Sequence, residues 1–201
     1  MSHDMKTKRP YTMGARAEAV AETRRRIVEA LFDLGRERMF PDISLDDVAA
    51  AADVSVQTIL RHFKSRAGLT EATMEHAIAT VTEERHAPVG DVDTAVAVIV
   101  DHYEDRGQMA LLMLAQEPSD PQVAELTRRG RALHRTWVKD VFAPFAGPHD
   151  PLIDLLVVAT DVYTWKLLRL DRRYSRARTE QLMRRLVGSL LEGTEHERES
   201  S

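Results

Sequence analysis

Apolar residues recur at helical spacing along almost the whole 201-residue chain, and no segment shows the strict alternation that a half-buried strand requires. Proline and glycine interrupt this pattern at Pro41, at residues 88–90 and between Pro144 and Pro151. The predicted fold class is therefore all-α, with about nine helices. They cover about residues 15–39, 45–52, 56–63, 65–85, 91–106, 108–116, 120–143, 150–172 and 176–192.

Composition excludes several classes of protein. The sequence contains no cysteine, which removes disulfides, thiolate metal sites and cysteine nucleophiles. The N-terminal residues 1–13 are polar and basic and predict a disordered tail rather than a secretory signal. No apolar run approaches the length that spans a bilayer, so we expect a cytoplasmic protein without a membrane partner.

Motifs for catalysis and for metal or cofactor binding are missing from the sequence. There is no H-E-x-x-H, phosphate-binding loop, G-x-G-x-x-G or G-x-S-x-G, and the histidines are too scattered to form a local metal site. We therefore predict no enzyme, no catalytic residue, no metal ligand and no cofactor. The net charge of −4 is unevenly distributed, because residues 1–66 hold 12 Lys and Arg against 10 Asp and Glu. The mildly basic end of the chain is thus the N-terminal one.

Two short helices separated by a tight turn are predicted between residues 44 and 63. Ser44 and Asp47 match the capping box that begins a helix, and Ser55 can cap the next helix. Asp53 lies between them, and aspartate tolerates the left-handed conformation of a tight turn. Helices this short are marginal alone and need a third helix to cover their apolar faces. The pattern predicts a helix-turn-helix, whose second helix enters the major groove of DNA.

The second short helix divides into an apolar back and a polar front without acidic residues. The residues for the back are Val56, Ile59 or Leu60, and Phe63. The front contains Ser55, Gln57, Thr58, Arg61 and His62, with Lys64 and Arg66 directly beyond. Glutamine suits an adenine edge, and arginine suits guanine or a phosphate. Without these neighbouring residues, Arg61 and His62 would be interpreted as a solvated helix end. Arg24, Arg25 and Arg26 on the first helix are interpreted as a solvated face.

The stretch AAAADVSVQTILRHFKSRAGL resembles the TetR-type transcriptional regulators, whose pattern runs approximately VAxxAGVSxGTLYxHFxSKxxL. The resemblance covers about residues 23–70, and two later stretches, GRALHRTWVKDVF and DVYTWKLLRLD, are similar to the ligand-binding halves of such regulators. Three positions depart from the pattern: Asp53 replaces glycine, Gln57 replaces glycine or proline, and Leu60 replaces a phosphate-binding tyrosine. By position, the resemblance implies backbone contacts from Ser44, Ser55, Thr58, His62 and Arg66. It implies specificity contacts from Gln57 and Arg61, with Val56 near a thymine methyl.

The resemblance also implies the organisation of the remaining chain. Residues 1–13 are the expected tail, residues 14–66 the DNA-binding domain, and residues 67–201 the ligand-binding and dimerisation domain. An unknown small apolar effector is expected between helices of the C-terminal bundle. Candidate lining residues, which are equally compatible with ordinary core packing, are Tyr103, Met109, Met113, His134, Trp137, Phe142 and Tyr163. Wide apolar faces on about 150–172 and 176–192 predict a homodimer.

The predicted function is that of a sequence-specific, ligand-responsive transcriptional repressor that binds a palindromic operator as a homodimer. The helix over about 66–85 joins the two domains and is the expected lever. One alternative is a small-molecule-binding or interaction protein with a vestigial helix-turn-helix. The other is an enzyme built on the bundle, which would need a convergent acid and base from distant residues.

Overall fold

The computed structural model describes residues 9–39, 42–147 and 149–199, and these ranges contain helices without any strand. The all-α fold class is confirmed. The chain divides into two compact units between Ala77 and Ile78, a point that lies inside a helix. The boundary predicted at 66/67 lies at the start of this helix, Arg66–Glu84, whereas the two units separate near its middle. No helix in the described ranges is long and apolar enough to cross a membrane.

The first unit contains α1 (Arg9–Glu37), α2 (Leu45–Ala51), α3 (Val56–Phe63) and the beginning of α4 (Arg66–Glu84). α1 packs against α2, and α2 packs against α3. The core that they enclose includes Ile27, Leu31, Ile43, Val48, Ala49, Ile59, Phe63 and Leu69. α1 includes residues 9–13 of the predicted tail, while residues 1–8 and Pro41, the predicted helix stop, lie outside the described ranges.

The second unit consists of the rest of α4 together with α5 (Val92–Gln116), α6 (Pro121–Val141), α7 (Pro151–Ala159), α8 (Val162–Lys166) and α9 (Arg176–Glu199). α5 is central and packs against α6, α8 and α9, while α7 packs against α6 and α9. Asp91, Asp120, Asp150 and Asp161 accept hydrogen bonds from backbone N–H groups at the starts of α5 to α8. These caps satisfy donors that have no partner within the helix.

Two predicted helix boundaries are wrong. The segments 91–106 and 108–116 form one continuous helix, α5, and Gly107 lies inside it. A Cβ at Gly107 would come within 2.6 Å of the Trp165 ring, so this glycine makes room for a neighbouring helix rather than ending its own. The predicted helix over 150–172 is divided, because α7 ends at Ala159 and Asp161 caps α8, which continues into a π-helical turn over Leu167–Asp171.

Candidate nucleic-acid interface and buried polar cluster

The turn between α2 and α3 is built by local side-chain caps. The Ser44 hydroxyl accepts from the Asp47 N–H at 3.1 Å, and the Asp47 carboxylate accepts from the Ser44 N–H at 2.8 Å, which confirms the predicted capping box. Asp53 adopts a φ of 52°, the left-handed conformation expected of it. Ser55 then begins α3 by accepting from the Thr58 N–H at 3.1 Å. These contacts fix the direction in which α3 leaves the turn.

The faces of α3 are those expected from the sequence, with one ambiguity resolved. Ile59 and Phe63 are buried in the core of the first unit, whereas Leu60 is 39% exposed and lies outside that core. Gln57 and Arg61 are exposed. Val56, Thr58 and His62 are half-buried, and Val56 packs against the core. The exposed surface of α3 therefore offers an amide and a guanidinium, both groups that bond to base edges.

Cationic groups gather around the end of α3. The Arg24 guanidinium lies over the Phe63 ring, 4.5 Å from its centroid, which brings α1 to this surface. Burial lowers the pKa of His62 from its ordinary value, and the nearby charges of Arg61, Arg24 and Lys64 lower it further. Each of these charges would be stabilised by a polyanion. The sequence pattern alone places Arg24 on a solvated face, because only the packing of α1 on α3 reveals its position.

Lys64 follows α3 in a conformation that is unusual for lysine. Its φ is 69°, its N–H donates to the Leu60 carbonyl and its Nζ donates to the Arg61 carbonyl at 3.2 Å. A side chain with Cβ costs free energy at positive φ, and glycine is the residue usually found there. Residue 64 is thus a lysine at a position whose backbone conformation would suit glycine better.

Ser44 and Arg66 also make hydrogen bonds within the unit. The Ser44 hydroxyl donates to Asp47 at 2.6 Å, and an Arg66 Nη1–H donates to the Ile43 carbonyl. The first contact lies within the cap of α2, and the second joins the segment before α2 to the beginning of α4. Arg25, by contrast, forms ion pairs with Glu22 and Glu29 on its own helix, as expected of a solvated helix face.

The second unit brings several predicted ligand residues together. His134 stacks on Trp137 with ring centroids 5.7 Å apart, and Trp137 meets Phe142 edge-on at 6.4 Å. Tyr103 is buried, and its hydroxyl donates to the Thr160 carbonyl at 3.0 Å. The other candidates differ in burial: Met109 and Met113 are half-buried, while Tyr163 is 52% exposed. Tyr103, His134 and Phe142 are thus buried, Trp137 is half-buried, and Tyr163 is exposed.

Ionisable groups are also buried in this unit, two of them against the Tyr103 ring, and the sequence pattern does not predict them. Arg85, His102 and Arg106 are all buried. The Glu84 carboxylate accepts two hydrogen bonds from Arg106, which lower its pKa, and His102 lies 3.3 Å from it. Burial, assisted by the charge of Arg85, lowers the pKa of His102 to about 3, so its bond to Glu84 is made by a neutral imidazole. No group of three or more His, Asp or Glu side chains in the described ranges could hold a metal ion.

Comparison with known proteins gives matches to transcriptional regulators. Residues 27–73 match the family model described as bacterial regulatory proteins, tetR family. The chain is 33% identical over 108 residues to the HTH-type transcriptional repressor LfrR of Mycolicibacterium smegmatis, an alignment that covers 51% of this chain and 56% of LfrR. The chain therefore matches little more than half the length of this curated relative.

Solved structures share the fold. A transcriptional regulator from Rhodococcus sp. RHA1 matches with a TM-score of 0.63 at 19% identity, covering 85% of this chain and 96% of that protein. Salmonella enterica GusR matches with a TM-score of 0.63 at 21% identity, again covering 85% of this chain and 96% of that protein. The family resemblance of about residues 23–70 is confirmed.

Proposed function

We propose that the chain, whose residues 27–73 match the model of the tetR family of bacterial regulatory proteins, is a ligand-responsive transcriptional repressor that binds operator DNA as a homodimer. The observation that carries the DNA-binding part is α3, a capped helix without acidic residues whose exposed Gln57 and Arg61 stand beside a group of cations. A helix of this kind fits the major groove of B-DNA.

The residues of this surface divide into two roles. Gln57 and Arg61 read bases, with Val56 against a thymine methyl, while Ser55, Thr58, His62 and Lys64 contact the DNA backbone. Ser44 and Arg66 contact the backbone from the rim of the surface, and their internal hydrogen bonds to Asp47 and Ile43 hold them in position there. Arg24 joins them as a phosphate contact, since it lies over Phe63 at the end of α3.

The experiment that tests this proposal is binding of the full-length protein to its own upstream DNA, measured by gel shift and by fluorescence anisotropy at several salt concentrations. Arg61→Ala should weaken binding by about 1–3 kcal/mol and relax selectivity at one base pair if Arg61 reads a base. An equal loss on every sequence, with a smaller salt dependence, would instead assign Arg61 to a phosphate. Arg128→Ala, which removes an exposed arginine from α6, is the matched control and should bind normally. Absence of salt-sensitive, sequence-selective binding would overturn the proposal in favour of a binding protein with a vestigial helix-turn-helix.

The dimer is proposed from apolar side chains that the second unit leaves exposed. The predicted faces on 150–172 and 176–192 separate into a buried set, which includes Leu152, Leu156 and Val187, and an exposed set. The exposed set is Leu155, Val158, Tyr163, Leu167 and Leu186, and Val158 and Leu167 are 63% and 58% exposed. They lie on neighbouring helices, and a second copy of the chain would cover them in a symmetric interface.

Oligomeric state measured by sedimentation provides the test of the dimer. Leu167→Asp should weaken self-association on the order of 100-fold or more, because a carboxylate would be buried in an apolar interface. Val89→Asp is the matched control, since Val89 is equally exposed but lies in the turn before α5. Unchanged self-association in Leu167→Asp would place the interface elsewhere.

The effector is proposed to bind within the second unit, beside the aromatic set that includes Tyr103, His134 and Trp137. It releases DNA only if its affinity differs between the DNA-binding state and another state of the dimer. α4 belongs to both units and provides the covalent connection along which such a difference acts.

A further inference from the structure

Arg85 is the first residue after α4, and its side chain is buried in the second unit. The residue is 8% exposed, and its guanidinium carbon lies 5.7 Å from the centroid of the Tyr103 ring. Its backbone carbonyl accepts a hydrogen bond from the Trp137 indole N–H at 2.7 Å, which attaches this position to α6. The Arg85 side chain therefore lies beside the same aromatic residues that are expected to meet the effector.

Two carboxylates, Glu84 and Asp161, act on the charge of Arg85 through space, but neither forms an ion pair with it among the described contacts. Glu84 accepts hydrogen bonds from Arg106 Nε at 2.9 Å and from Arg106 Nη2, and it also meets His102. Asp161 influences Arg85 through space, but it accepts from the Tyr163 N–H at 2.8 Å as the cap of α8. The charge of Arg106 is thus neutralised by Glu84, whereas Arg85 has no comparable anion among the residues that the structure describes.

The guanidinium of Arg85 also lacks a hydrogen bond that its burial demands. Its Nε is buried and has no hydrogen-bond partner among the described residues. The face of the Tyr103 ring attracts the positive charge of Arg85. It offers no hydrogen-bond acceptor in the guanidinium plane, where the Nε–H points. A buried N–H without an acceptor costs about 1–3 kcal/mol, and arginine cannot lose its proton to relieve that cost. An anion that arrives from outside the chain would supply both the missing charge and the missing acceptor.

A second polar atom of the same cluster is unsatisfied. The Nε2 of His134 lies 3.3 Å from the Val157 carbonyl and 3.2 Å from the Thr160 hydroxyl, and that hydroxyl already donates to the Leu156 carbonyl at 2.7 Å. Both neighbours are acceptors toward His134, so its proton resides on Nε2. Its Nδ1 is then a buried acceptor with no partner in the described ranges. The charge of Arg85 acts on His134, but a carboxylate has no proton to donate to Nδ1, so Arg85 alone is the candidate partner of an anion.

We propose that the second unit binds a small aromatic carboxylate, whose carboxylate group pairs with Arg85 and whose ring packs beside Tyr103 and Trp137. A carboxylate matches the planar guanidinium better than a spherical anion does, because it can accept two parallel N–H bonds. The aromatic neighbours supply the apolar contact area that such a ligand needs. This inference rests on the proposed function insofar as it names the chemical class of the effector.

The test uses the full-length protein with sodium benzoate as the probe and benzamide as a neutral molecule of the same shape. Binding is measured by calorimetry and by the shift in melting temperature. Benzoate should bind and raise the melting temperature, and benzamide should do neither at the same concentration. In Arg85→Met the affinity for benzoate should fall on the order of 10- to 100-fold, the loss expected for a hydrogen bond to a charged group.

The stability of the unliganded variant provides a second, independent readout. Arg85→Met should be as stable as the natural chain or more so, because an apolar side chain replaces a buried unpaired charge and the Trp137 hydrogen bond to the backbone remains. Arg176→Met, which removes an arginine that pairs with Asp101 and Glu180, is the matched control and should leave benzoate binding unchanged. A marked loss of stability in Arg85→Met would show instead that Arg85 is satisfied within the protein.

Several results would overturn the inference. The inference is refuted if the protein binds no benzoate, binds benzamide as well as benzoate, or binds benzoate undiminished in Arg85→Met. If sodium chloride raises the melting temperature as much as benzoate does, the site holds an adventitious ion only. Operator binding is measured on the same samples with and without benzoate. Benzoate binding that depends on Arg85 in a protein that binds no operator would retain this inference while refuting the proposed function, so the two failures are distinguishable.

Discussion

Gly107 and Gly130 offer a matched pair of substitutions that tests the packing of the second unit. Both glycines lie inside helices, α5 and α6, where replacement by alanine favours the helix by about 0.5–1 kcal/mol. A Cβ at Gly130 would meet nothing within 4 Å. A Cβ at Gly107 would lie 2.6 Å from Cζ3 and 2.8 Å from Cη2 of Trp165. Non-bonded carbon atoms normally stay about 3.5–4.0 Å apart.

The Trp165 ring has little freedom to move away from such a Cβ. It is buried, and its indole N–H donates to Glu104 at 2.9 Å. Overpacking of a core costs about 1–3 kcal/mol, and this contact belongs at the upper end of that range. Gly130→Ala should therefore raise the free energy of unfolding by up to about 1 kcal/mol, and Gly107→Ala should lower it by about 2 kcal/mol.

Urea unfolding followed by tryptophan fluorescence measures this difference in the right part of the chain. Both tryptophans, Trp137 and Trp165, lie in the second unit, so the signal reports that unit. Protein concentration is kept constant, since self-association adds to apparent stability. Equal stability of the two alanine variants would refute the close packing of α5 on α8, and with it the reason why α5 continues through Gly107.

Two further predictions concern strain and burial. Lys64→Gly should raise stability by up to about 1 kcal/mol by relieving the positive φ, yet weaken operator binding and reduce its salt slope by about 1. Asp53→Gly, which also relieves a positive φ, should keep the salt slope, and an unchanged slope in both variants would show that Lys64 does not contact DNA. The pKa values of His102 and His134 are lowered to about 3 and about 4, below about 6.5 in the unfolded chain, so the second unit should lose about 2 kcal/mol per histidine between pH 7.5 and pH 5. Unfolding followed by fluorescence at pH 7.5 and pH 5 should show this loss of stability in the natural chain but not in the double variant His102→Gln and His134→Gln. An equal loss in the double variant would contradict the lowered pKa values of the two histidines.

The sequence was sufficient for the first unit because its determinants are local. Ser44 and Asp47 are three residues apart, Ser55 caps its own helix and Asp53 lies in the turn between them. The exposed face of α3 follows from the periodicity of one helix. The position of Arg24 over Phe63 did not follow, because it depends on how α1 packs across a separation of 39 residues in the sequence.

The second unit was less predictable because its determinants are distant in the sequence. The sequence alone suggests a helix break at Gly107, because the contact of Trp165 with this glycine is visible only in the structure. Arg85 and Arg106 resemble surface residues, as most arginines in a sequence are. Their burial depends on the side chains that α5 and α6 present to them, and no spacing within a short motif records that arrangement.

Three features of the chain oppose local stability, namely the glycine inside α5, the positive φ of Lys64 and the buried charge of Arg85. Unfavourable local features concentrate at functional sites, but they do not identify such sites by themselves. The useful distinction is whether the chain itself accounts for the feature. Trp165 occupies the space that Gly107 leaves, so Gly107 has a structural explanation. No described residue accepts from Arg85 Nε, and glycine would suit the positive φ of Lys64 better than lysine, so these are the two positions at which we propose partners outside the chain.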